Sequence, residues 1–235
     1  RLSLWKSAAG QLSTVSGLNA GGRGHQAQVL DVQMSGHPMA RLWINHPGEL
    51  KVWGERRPSL LAGSHVMPQV AQHGPTGLMI FDIDRPWTEI GFTQLFAAPG
   101  AFEGPERVGA WLVFACGEGR VAAWCSAPLE EVGGLYAGAL RRAQGMRTAW
   151  VVTLAVPGED AGAFAARLRR MAPSFDAEAL RLTVAGHDGT ALVLSFDGAL
   201  AVGGVARDFA PLDPVPHVGW NGGPLRPWEA QDARD

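Results

Sequence analysis

Histidine is the residue whose distribution in this sequence first suggests chemistry. The chain carries seven, and five of them, His25, His37, His46, His65 and His73, fall in its first third. In "GGRGHQAQ" His25 follows three glycines, where backbone can approach a ligand closely. In "NHPG" and "AGSHVMP", His46 and His65 stand where a strand gives way to a turn. Strand ends and loop tips are where β-proteins carry sites. Imidazole can shuttle protons near neutral pH or ligate a metal, although scattered surface histidines are common. Beside them, Arg56 and Arg57 could fork onto a carboxylate, and Trp53 offers a flat apolar face.

Most other signatures are missing. There is no His-x-x-x-His or Cys-x-x-Cys spacing, no Gly-x-Ser-x-Gly elbow and no P-loop. No metal ligand set is therefore assigned. A divalent ion held by converging imidazoles, with Asp31 or Glu55 adding a carboxylate, is a lesser reading. Asp82 and Asp84 in "FDID" share a strand face and could do acid/base work, but they read better as the polar face of an edge strand. Glu130 and Glu131 read as turn charges. A net charge of −2 gives no reason to expect nucleic acid as a partner. No run approaches the roughly 18 apolar residues of a membrane span, so no membrane is expected either.

These residues must be positioned by strands. "ARLWINH", "GLMIFDID", "GAWLVFAC", "RVAAWCS", "TAWVVTLAV", "LRLTVAG", "TALVLSFDG" and "ALAVGG" alternate in polarity between turn signals such as Asp188-Gly189 and Asp197-Gly198. One amphipathic helix is expected near residues 159–172. Its apolar stripe is Ala161, Phe164, Leu168 and Met171, opposite Arg167, Arg169 and Arg170, and Pro173 stops it. The expected fold is all-β, a large antiparallel β-sandwich over residues 1–210. Residues 211–235 form an irregular, proline-rich C-terminal tail. Cys116 and Cys125 fall on a hairpin turning near Glu118-Gly119, with Cys116 opposite Val121 and Cys125 opposite Leu112. At ~3.3 Å per residue the sulfurs stand roughly 13 Å apart, too far for a disulfide. Packing thiols leave the compartment open. The chain opens on Arg1 and reads as strand almost at once, like a processed product or a piece of something longer.

As an ordered set, "GRGHQAQVLDVQM", "WINHPGE", "RRPSLLAGSHVMPQVAQH", "VGAWLVFACGEGRVAAWCS" and "RTAWVVTLA" resemble the C-terminal β-sandwich region of bacterial heparinase II/III-like, polysaccharide-lyase-related proteins. The resemblance covers roughly residues 3–228. It implies a glycan cleft shared between the sandwich and an N-terminal α/α toroid. Lyases of this group abstract the proton α to a uronate carboxylate and protonate the leaving oxygen. On that resemblance His25, His65 and then His46 are the catalytic candidates. Arg56, Arg57, Trp53 and Gln26 are the substrate-binding ones. The partners implied are a polysaccharide or oligosaccharide and an α-helical toroid domain or companion chain, with no cofactor. Tyr136, the sole tyrosine, lies far from the histidines, so a tyrosine acid would come from the toroid and the chain alone would be inactive. Two other functions fit the residues. One is a non-catalytic carbohydrate-binding module stacking sugars on Trp53, Trp87, Trp220 or Trp228. The other is a metal-dependent hydrolase or isomerase on a sandwich or cupin-like barrel.

Overall fold

Short strands between turns organise the computed structural model, which describes residues 2–24, 26–52, 55, 58–207, 219–220 and 223–224. In chain order the first strands are β1 (Leu2–Lys6), β2 (Gly10–Val15), β3 (Leu30–Met34), β4 (Arg41–Asn45), β5 (Gln69–His73) and β6 (Thr76–Asp82). Then come β7 (Phe92–Ala97), β8 (Glu103–Val108), β9 (Trp111–Cys116), β10 (Gly119–Cys125), β11 (Leu129–Glu131), β12 (Leu140–Gln144) and β13 (Arg147–Leu154). The helix α1 (Ala161–Met171) precedes β14 (Ser174–Asp176), β15 (Arg181–Ala185), β16 (Ala191–Ser195), β17 (Leu200–Val202) and β18 (Val205–Arg207).

The strands form three antiparallel sheets. The first runs β1-β2-β3-β4-β7-β12-β11, the second β5-β6-β13-β10-β9-β8 and the third β14-β15-β16-β17-β18. The first two make the expected sandwich. Leu12, Val32, Leu42, Ile44 and Leu95 of the first sheet bury against Met79, Phe81, Phe114, Val121, Trp150 and Val152 of the second. Successive side chains in a strand point to opposite faces, so the intervening residues of the second sheet emerge on its other side. There Leu78, Ile80, Trp111, Trp124, Ala149 and Val151 meet Phe164, Leu168 and Met171 of α1 and Leu182, Val184, Leu192 and Leu194 of the third sheet. The middle sheet is therefore covered on both faces. That is why β6 is buried at all seven positions and why "TAWVVTLAV" is apolar almost throughout.

Several local expectations change. The β9–β10 hairpin pairs Cys116 with Gly119 and Leu112 with Ala123, two residues from the expected register, because the turn is the tight Gly117-Glu118 pair with Gly117 at φ 57°. Both cysteines are free and buried. Asp82 ends β6, which lies between β5 and β13 rather than at an edge, and it is held by Arg85 at 3.1 Å and Arg147 at 3.5 Å. Glu130 and Glu131 lie on the edge strand β11, where Glu131 pairs with Arg141 at 3.1 Å. The helix buries Phe164, Leu168 and Met171 as expected, with Asp160 capping it through the Ala163 N–H. Its first residue, Ala161, is exposed and Arg167 is buried, so Arg167 belongs to the inward face. Its guanidinium reaches Glu159 at 2.8 and 2.9 Å and the Leu154 carbonyl at 2.8 Å.

Of the tail, Gly219–Trp220 and Gly223–Pro224 pair as a two-residue ladder; its other residues lie outside the described ones. The same holds for His25, Trp53, Arg56 and Arg57.

Candidate functional site

The segment between β4 and β5 carries His46 and His65, and buried amides anchor it from below. Asn45 donates to the carbonyls of Leu60 at 3.1 Å and Gly63 at 2.8 Å. Gln94, opposite on β7, donates to the Leu60 carbonyl at 2.7 Å and the Asn45 side-chain oxygen at 3.2 Å. Satisfying backbone carbonyls this way lets an irregular segment be buried at little loss.

His46 extends this anchorage. It is wholly buried; its Nε2 lies 2.9 Å from the Ile90 carbonyl, and its Nδ1 accepts from the Val66 N–H at 3.2 Å. A carbonyl can only accept, so Nε2 carries the proton and the ring is neutral. Burial pushes its pKa down to about 4, outweighing the Ile90 bond, and the neighbouring His65 lowers it further. Both nitrogens are committed to backbone, so His46 positions the loops that meet over it.

Above it three segments converge. The Gly24 N–H donates to the His65 carbonyl at 2.8 Å, the His65 N–H to the His46 carbonyl at 2.7 Å, and the Gly21 N–H to the Met67 carbonyl at 2.8 Å. Arg23 and Val66 form an isolated bridge. A Cβ at position 24 would collide with the Ser64 carbonyl and the Met67 sulfur, so this approach requires glycine. From the β6–β7 loop, Arg85 reaches the Gly21 carbonyl at 3.0 Å. The same loop brings Trp87 edge-on to His65, ring centroids 5.0 Å apart, and the Arg23 guanidinium lies 4.8 Å from the Trp87 ring centre. The His46 and His65 rings are 5.9 Å apart. His65 and Trp87 are half-buried and Arg23 is exposed.

The result is a surface offering a cation, an aromatic and an imidazole together. Of the catalytic candidates, His46 and His65 lie side by side, but His46 is buried with both ring nitrogens bonded to backbone and so holds the fold instead of facing a substrate. Gln26 lies on the surface two residues from Gly24, and His25 stands between them in sequence. Sequence reasoning missed Arg23, although the glycines around it marked its backbone as special. In sequence Trp87 is one of several candidate stacking platforms, with nothing to tie it to His65.

A wide recess of about 760 Å³ opens elsewhere, lined by residues including Ser7, Gly36, Cys116, Glu118 and Asp160. Burial and the Glu103 carboxylate both raise the Cys116 thiol above its usual range, and burial pushes Cys125 up to about 12, so neither is poised as a nucleophile. Among the described residues one further group can converge on a metal: His73, His187 and Asp188. In sequence Asp188-Gly189 is a turn signal alone, and His187 carries no local pattern.

Comparison of the chain with protein-family models, with curated proteins and with solved structures finds no match.

Proposed function

We propose that this chain is the β-sandwich portion of a glycan-degrading enzyme of the polysaccharide-lyase type. The Arg23–His65–Trp87 surface would form one wall of its cleft, and an α-helical toroid domain or companion chain the other. The observation that carries this reading is the convergence of an exposed guanidinium, a half-buried indole and a half-buried imidazole on loops locked together by Gly24 and His46. A uronate carboxylate needs a cation to neutralise the charge that develops as its α-proton leaves. Arg23 supplies one. The proton itself needs a base, and the leaving oxygen an acid. His65 and His25 are the groups assigned to proton handling, and Trp87 presents apolar area to a sugar ring. The heparinase II/III resemblance supports the same assignment of His25 and His65.

Titration calorimetry with uronate-containing oligosaccharides tests the reading, alongside absorbance of the unsaturated elimination product with and without an added toroid domain. Arg23→Ala removes a charge-assisted contact worth about 1.5–3 kcal/mol, so affinity should fall about tenfold or more. His65→Ala should abolish elimination while leaving binding within a few-fold. Affinity for uronates indifferent to Arg23→Ala would overturn the reading. Binding of neutral glycans that depends on Trp87 but not on Arg23 would instead make the chain a non-catalytic binding module.

A further inference from the structure

We propose that His73, His187 and Asp188 bind a divalent transition-metal ion, Zn²⁺ in the first instance, which ties the β5–β6 hairpin of the sandwich to the β15–β16 hairpin of the third sheet. The proposal is independent of the glycan reading. His73 is the last residue of β5, while His187 and Asp188 occupy the turn between β15 and β16, more than a hundred positions later. Each offers one ligand atom, and all three atoms lie within 4.8 Å of one another. The His73 Nε2 and an Asp188 oxygen are 3.7 Å apart, and the two imidazole centres 5.9 Å.

Tetrahedral zinc with bonds of ~2.1 Å sets its ligands about 3.3 Å apart, so the group needs to contract by ~1.5 Å at most. Asp188 is exposed on a tight turn with one oxygen 3.7 Å from the His73 Nε2, so that pair needs to close by only ~0.4 Å. The other Asp188 oxygen already accepts from the Thr190 N–H at 3.0 Å, which orients the carboxylate. Metal ligands are commonly fixed in this way by a second hydrogen bond.

One further observation points to a ligand, and a second fixes the position of His187. The His187 Nδ1 is buried without a hydrogen-bond partner, an arrangement that burial penalises unless something fills it. The packing also brings His187 against the backbone of the β5–β6 turn. Gly74 has φ 54°, and a Cβ there would stand 2.9 Å from the His187 Cε1, so a side chain at 74 would push the imidazole off. The nearby cation Arg167, which would oppose a metal, is neutralised by its paired contacts to Glu159. Two imidazoles and one carboxylate leave a position open in a four-coordinate site. His187 and Asp188 also line a cavity of about 370 Å³ with Arg170, so water or an anionic ligand has room to complete the sphere.

The test is Zn²⁺ titration of the chelator-stripped 235-residue chain by calorimetry, with Co²⁺ absorption as the reporter of geometry. Wild type should bind one ion per chain, gain thermal stability, and give the intense visible bands of four-coordinate Co²⁺. His73→Gln, His187→Gln and Asp188→Asn should each weaken binding at least tenfold. Their metal-free melting temperatures are read alongside, to separate loss of ligation from loss of fold. His37→Gln and His65→Gln should leave affinity unchanged. Absence of saturable binding by folded wild type would overturn the proposal. So would binding that survives all three ligand substitutions, or that is lost in either control.

Discussion

At the scale of single residues, His46 shows how a histidine can look catalytic and serve as scaffold. Its neutral ring bonds Ile90 and Val66, and burial holds its pKa near 4 against an ordinary 6.5. A histidine whose folded pKa is depressed stabilises the fold fully above the unfolded value, and that contribution is lost as pH falls, because the unfolded chain takes the proton first. The loss should run from about pH 6.5 down to about pH 4 and reach roughly 3 kcal/mol, at about 1.4 kcal/mol per unit. Denaturant melts across that window measure it. His46→Gln should be less stable at neutral pH but should flatten the acid side of the profile. A profile in the variant parallel to wild type would remove His46 from this role.

Among the elements, α1 is the one whose inward face departs from its hydrophobic pattern. Arg167 and Glu159 have side chains only 5% and 9% exposed, and they form one buried pair that also ties the helix to the end of β13. Removing one partner of such a pair strands the other charge, whereas replacing both by neutral groups of similar size is far better tolerated. Arg167→Met should therefore destabilise the protein by about 3–5 kcal/mol. The double change Arg167→Met with Glu159→Gln should recover most of that loss, since the glutamine keeps an oxygen for the Val156 N–H. Urea titration of the single and double variants gives the coupling directly. The β4–β5 segment is the other element held by buried polar groups, and there Asn45 and Gln94 do the holding.

For the molecule as a whole, the consequence of three layers is that the middle sheet depends on the third for cover. A chain ended at Pro157 lacks α1 and the third sheet and leaves Leu78, Ile80, Trp111, Trp124 and Val151 facing water. An apolar face of that kind drives association. Such a chain should bind a hydrophobic dye and elute as aggregates or oligomers, by size-exclusion chromatography with light scattering. A monodisperse, dye-silent monomer would show that the two-sheet sandwich stands alone.

The sequence by itself determined the strand-rich class, the eight quoted strands to within two residues except "TALVLSFDG", which runs three past the end of β16, and the helix with its stop at Pro173. These follow from local periodicity, capping and turn chemistry. It also drew attention to the loops around His46 and His65, because glycine and proline mark unusual backbone. Sheet order, the double-sided burial of β6 and β13, and the inward turn of Arg167 were decided only by tertiary packing, since an apolar run does not say which layers will cover it. The same holds for both clusters of side chains. Arg23, His65 and Trp87 come from separate loops, and His73 meets His187 and Asp188 from separate sheets, so no spacing along the chain encodes either meeting.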